Sequence, residues 1–321
     1  MNWLIITLVA YLLNAVAAVI DKTMLTKNLL SPISYTFSIA VLGGVLMLLV
    51  IPFGFGIPNI LTLVVSLIAG AAFVWALILM FKALEKDDAT RVAPMIGGLV
   101  PVFVFILAWY ILEESLTGNQ YFAFIFLIIG TFLISLDFQK HGALSWLKSK
   151  FGMKNKPGLP QIRKTLWIAL PASLLFGISH VLTKFVYSNT EFLTGFIWTR
   201  LGSFLAIMLL LVSIKNRNII KRDFKRNKKQ PKQTKATGIR FLFGQLCGGG
   251  GAILLQYAIF LGSVTLVNAM QGVQYIFVFF LVVLFTTTLP KLIKEKFTKE
   301  LVIQKVIAIL IIGIGLYLIA V

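Results

Sequence analysis

Between Val92 and Leu112 the chain carries no charged side chain, and after Glu113-Glu114 a second uncharged run extends from Ser115 to Leu136. About 20 predominantly apolar residues cross a bilayer as a helix. Runs of this kind recur along the whole sequence and restrict what it can become. Ten spans are expected: Asn2–Ile20, Ile33–Phe53, Ile60–Phe81, Val92–Leu112, Tyr121–Leu136, Thr165–Tyr187, Leu193–Ile214, Phe241–Leu261, Leu266–Thr287 and Leu301–Ala320. The long uncharged stretch from Asn28 to Phe81 splits at Pro52, Gly54, Gly56 and Pro58. Met1–Ile20 holds no Lys or Arg that would make a signal-peptide n-region, so it is read as the first span.

With 59% hydrophobic residues the chain exceeds the roughly 45–50% of soluble domains. A net charge of +19 would suggest nucleic acid in a soluble protein. Here the charge lies between spans, where anionic lipid is the better partner and nucleic acid is not expected. The one cysteine, Cys247, rules out an internal disulfide.

The second half restates the first. Ala83 aligns with Ala258, Thr90 with Thr265, Met95 with Met270, Gly97 with Gly272 and Phe105 with Phe280. Glu114–Thr117 returns as Glu295–Thr298, and Ile128-Ile129-Gly130 as Ile311-Ile312-Gly313. Leu13–Met24 resembles Leu175–Val186, with Lys22 over Lys184. The expected organisation is a five-helix repeat over 1–140, a basic linker over 141–164 and a second repeat over 165–321. The basic loop 215–240 inside the second repeat should be disordered or surface-bound. Five spans per copy is an odd number, so the copies should enter the membrane in opposite senses, giving an all-α protein of two inverted repeats.

Of the 30 Lys and Arg, 27 fall in odd-numbered connections. By the positive-inside rule those connections face the cytoplasm and both termini face outward, in a cell (inner) membrane.

In this order and duplication the motifs resemble the EamA-type transporters of the drug/metabolite transporter superfamily, as two tandem units. The features are a Lys closing the first helix of each unit (Lys22, Lys184), a fourth helix rich in Pro/Gly or amides, the Glu-x-x-Thr that follows it, and a glycine in the fifth helix (Gly130, Gly313). The resemblance implies ten helices around a central cavity, alternating access and a small-molecule substrate.

Asn268, Gln271 and Tyr275 share a face of the ninth span, with Gln274 beside it. Polar groups at membrane depth need partners, so these are candidates for lining a solute site or for gluing helices together. Their counterparts Ala93, Ile96, Leu99 and Val100 are apolar, so the cavity would have one polar and one apolar wall. Further substrate candidates are His180, Lys184, Arg200, Asn14, Trp75 and Gln256. Lys184 is equally suited to snorkelling, and Trp75 and Trp198 to packing. The Gly248–Gly251 run suits close helix contact. Pro94, Gly97, Gly98 and Pro101 lie on one face of the fourth span and are the expected gating bend. No Asp or Glu lies well inside a span, which argues against a buried-carboxylate proton relay. No pattern provides a Walker loop, a metal cluster or a placed nucleophile, so neither cofactor nor catalysis is expected. The expected function is a secondary transporter or facilitator of a small organic metabolite. The alternatives are a lipid or lipid-linked-sugar flippase and, from another class, a non-transporting membrane enzyme or assembly factor.

Overall fold

The computed structural model describes residues 2–25, 31–86, 89–135, 159–228, 235–288 and 299–321. They form α1 Asn2–Leu25, α2 Pro32–Val50, α3 Ile60–Lys86, α4 Ala89–Leu112, α5 Gly118–Ser135, α6 Leu159–Asn189 and α7 Phe192–Leu210. α8 Ile214–Lys228, α9 Lys235–Leu261, α10 Val264–Ala269, α11 Gln271–Thr288 and α12 Lys299–Ala320 follow. Ten candidate spans emerge among the described residues, α10 and α11 jointly making the ninth. Large apolar side chains on the exterior, such as Leu48, Tyr110, Leu209 and Leu310, remain exposed as they would be toward lipid. The protein is an all-α integral membrane protein.

The helices pair across the two halves. α1 packs extensively on α9, and α6, which the sequence match sets against α1, packs on α3. α1 also packs on α11, and α6 on α4. The pairs α2–α7, α4–α10 and α5–α12 each join a helix to its own counterpart. Exchanging the halves therefore returns most of the contact pattern. The helix ends reveal direction. Trp3, at the start of α1, packs against Gly262, and Lys184, near the end of α6, bonds the Gly262 carbonyl. α1 and α6 thus begin at opposite ends of the bundle. The connections α2–α3, α4–α5, α6–α7 and α9–α10 gather at one end, called here the even end.

The two largest departures from that symmetry involve α3 and α5. α3 packs along α7, yet the equivalent pair, α9 with α2, makes at most slight contact among the described residues. α5 packs on α11, while α12 and α4 make at most slight contact among the described residues. At the α3–α7 crossing Gly70 lies against the Thr199 carbonyl and Ser203 backbone, and Gly202 against Leu67. A Cβ on Gly202 would come within 2.6 Å of the Leu67 carbonyl oxygen, so the helix backbones touch. Ser203 Oγ donates to the Gly70 carbonyl at 3.1 Å across the same crossing.

The basic 215–240 connection has more structure than its composition suggests. Its first part is α8, which buries Ile220 and sets Phe224 edge-on to Phe37 of α2. Asp223, buried, caps α2 from outside. Its carboxylate accepts from the Ser31 backbone N–H at 3.0 Å and the Ser34 hydroxyl at 2.8 Å. A negative charge at a helix N-terminus satisfies free N–H groups and the dipole together. Burial alone would raise the Asp223 pKa, but hydrogen bonds from Ser31 and Ser34 and the nearby Arg222 bring it below the usual 3.8. A depressed pKa means that the docking is fully present above the unfolded-state value and is lost as pH falls through the folded one. Trypsin cleavage within α8, taken at each pH relative to that of an unstructured peptide substrate, should therefore stay constant from pH 8 to 5, and Asp223→Ala should speed it at every pH in that range. The substitution removes a cap of about 0.5–2 kcal/mol; unchanged cleavage would refute the docking role.

Most of the 141–164 linker and the whole of Glu295–Thr298 lie outside the described residues, as do the side chains of Asp21, Lys22 and Pro94.

Candidate functional site

The ninth span is interrupted where its polar residues cluster. Met270 is a turn between α10 and α11. The Val267 carbonyl, which would have bonded the Gln271 N–H in an unbroken helix, instead accepts from the Tyr11 hydroxyl of α1 at 2.8 Å. α4, by contrast, is continuous through Pro94 and Pro101. The break thus lies in the span without prolines, where a side chain from another helix takes over a freed backbone group.

Around that break the predicted face divides. Asn268 is buried, and its Nδ2 donates to the Val264 carbonyl at 2.8 Å. Its Oδ1 meets His180 Nδ1 at 2.7 Å. Since Oδ1 can only accept, Nδ1 carries the proton, and in the neutral ring Nε2 is left as an acceptor. This is interhelical glue between α6 and α10. Tyr275 sets its hydroxyl against Gly97 of α4, which leaves no room for a side chain there. Gln271 and Gln274 differ. Both are half-buried and make no hydrogen bond among the described residues.

A line of rings continues from His180. Its ring lies 6.3 Å from Phe176, which meets Phe73 of α3 at 5.9 Å. Arg200 of α7 places its guanidinium 5.7 Å from the Phe73 ring and 5.0 Å from that of Phe196. Toward the even end Phe196 meets Phe192, which packs with Tyr187, Tyr257 and Phe260 into an aromatic plug. Tyr187 donates to Gln256 Oε1 at 3.2 Å, tying α6 to α9. These rings escaped sequence reading because each looks like core packing on its own helix. Only the spacing of Phe192 and Phe196, one turn apart, hinted at a shared face.

Other candidates are placed elsewhere. Lys184 Nζ donates to the carbonyls of Ile259, Phe260 and Gly262 at 2.9, 3.1 and 2.7 Å. All three ammonium donors are spent on the C-terminus of α9, where a cation also complements the dipole. Lys184→Met should lower thermal stability by about 1–3 kcal/mol by leaving those carbonyls without their charged donor. A denaturation curve overlapping the parent would contradict that role. Beside it the Thr265 hydroxyl donates to Glu114 Oε2 at 3.1 Å, joining the first Glu-x-x-Thr motif to the second half. Asn14 rests on Gly251 at the tight α1–α9 contact. Trp75 is 47% exposed on a face of α3 shared with Leu61, Val64 and Ile68, and is not brought to the ring line. Trp198 donates to the Gly56 carbonyl at 2.9 Å and stacks on Phe55. Gly98 lies against Phe132 of α5. Pro101 is buried in α4.

The site is thus a membrane-depth arrangement of amides, one imidazole, one guanidinium and aromatic rings in a polytopic helical protein. Residues 1–136, which hold the first five spans, match the model of the EamA-like transporter family. No curated protein matches the sequence. The fold is similar to that of a solved structure titled only as the crystal structure of a protein. The two are 12% identical with a TM-score of 0.62, over 99% of this chain and 96% of that one. At that identity the likeness concerns the fold alone.

Proposed function

We propose that this protein is a secondary transporter or facilitator of a small organic solute, built of two inverted EamA-like units that give the site access to each side in turn. The observation that carries the reading is the unequal pairing of equivalent helices. α3 is closed on α7 while α2 and α9 stand apart. Two halves related by exchange can interconvert by breaking one such contact and making its mate, which is how inverted repeats alternate access. Gln271 and Gln274, half-buried without hydrogen-bond partners for their side chains among the described residues, suit a solute that replaces water at membrane depth. The basic connections, α8 among them, would lie on the anionic cytoplasmic leaflet. Nothing in this reading requires catalysis. The test is uptake of a panel of small organic solutes into liposomes containing the purified protein. Saturable uptake with counterflow of at least one solute supports transport. Lipid scrambling without solute uptake would replace it with the flippase reading.

A further inference from the structure

Arg200 follows Phe192 by eight residues in α7, about 12 Å into a hydrocarbon core of roughly 30 Å. A charge at that depth is costly and is normally paired. Among the described residues no carboxylate pairs with it. Among the described residues its guanidinium lies over the faces of Phe73 and Phe196, with the Tyr187 phenol as a further electrostatic neighbour. Ring faces leave the in-plane N–H donors uncommitted. The residue also keeps accessible surface, at a cleft lined with Ile39, Gly43, Phe73, Leu77 and Ser203 whose free volume is about 10 Å³, room for about one water. Apart from Arg200 and Ser203 that lining is apolar, and every acidic residue of the chain falls at a span end or in a connection.

We propose that the solute is a small organic monocarboxylate whose carboxylate pairs with Arg200 while its apolar body lies against Phe73 and Phe196. The inference rests on the transporter reading for its context but concerns the charge of the ligand. The missing counter-ion arrives with the cargo, so the loaded site is neutral where the empty one is not. The planar guanidinium fork matches a carboxylate in a bidentate pair. One guanidinium balances one negative charge, whereas a phosphate monoester brings about −1.5 to −2. With about 10 Å³ free, against roughly 300–1,000 Å³ for sites of drug-sized ligands, the cleft is closed in this state and must widen to admit the solute, which selects a small body.

Benzoate, hexanoate, benzamide, benzylamine and phenyl phosphate are the probes. Each is tested for thermal stabilisation of the purified protein and, radiolabelled, for uptake into liposomes. Stabilisation by a carboxylate, absent with benzamide and benzylamine and weaker with phenyl phosphate, is the expected result. Arg200→Gln should weaken carboxylate binding about 100-fold, as expected when one member of a buried charge pair is removed. Arg200→Lys, keeping the charge without the fork, should weaken it about tenfold. The ranking of the probes on the unaltered protein decides the matter even where Arg200→Gln does not fold. Benzamide or benzylamine binding as well as benzoate, carboxylate binding within twofold in Arg200→Gln, or no stabilisation by either carboxylate would each overturn the proposal. Carboxylate binding that depends on Arg200 but brings no uptake would keep the anion site and remove the transporter reading. Uptake of only neutral or cationic probes would do the reverse.

Discussion

Gly70→Val is expected to destroy the folded bundle. Its Cβ would meet the Thr199 carbonyl and the Ser203 backbone N–H, and neither can rotate away as a flexible side chain could. α3 would have to move off α7, losing the Ser203–Gly70 hydrogen bond and the contacts of Val74 and Ile78 with Ala206 and Ile207. Overpacking costs about 1–3 kcal/mol where side chains can adjust; here the backbone must move, so at least about 3 kcal/mol is expected. Against a marginal total stability of about 5–15 kcal/mol, that is a large share. Gly249→Ala is the control. It has no atom within 4 Å of the new Cβ and sits inside α9. Its helix propensity should improve by up to about 1 kcal/mol. Melting curves of the two variants in detergent decide the point, and a Gly70→Val protein as stable as the parent would refute the backbone contact.

The second large effect concerns affinity. Gln271→Leu should weaken binding of the transported solute five- to 150-fold while leaving thermal stability nearly unchanged. The range follows from about 1–3 kcal/mol for an unsatisfied buried polar group, at about 1.4 kcal/mol per tenfold. Stability should hold because Gln271 bonds no other helix among the described residues. Asn268→Leu should behave the opposite way. It breaks the 2.7 Å contact with His180, so it should cost about 1–3 kcal/mol of stability. If both variants lose stability and keep affinity, the ninth span is glue throughout. Ile96→Val, on the apolar wall opposite, should alter neither by much.

The membrane class and the spans were legible because a bilayer demands long uncharged runs, and charge-free length survives any detail of packing. The sequence also singled out Lys184, but not what the residue does. A lysine that snorkels and a lysine that caps α9 have the same sequence signature, and only the position of the Ile259–Gly262 carbonyls separates them. The polar face of the ninth span read as a unit, yet a turn at Met270 divided it, giving Asn268 to α6 and leaving the Gln271 side chain without a hydrogen-bond partner among the described residues. Proline led the reading to a bend in the fourth span, whereas the structure breaks the ninth. Tertiary partners such as Tyr11 decide where a membrane helix can open, and they are distant in sequence. α8 was underrated because composition counts charges evenly, while one buried Asp223 and two apolar side chains suffice to dock it.

The central claim is that Gln271 faces a water-accessible pathway that a solute can occupy. Cys247 is the chain's only cysteine and is buried, so Cys247→Ala gives a background for placing one thiol. In that background Gln271→Cys is treated with a membrane-impermeant thiol reagent in sealed vesicles of known orientation. The account predicts labelling of the folded protein through the aqueous phase, slowed by the solute that the liposome assay identifies. No labelling from either side, with reaction only after unfolding, would contradict it.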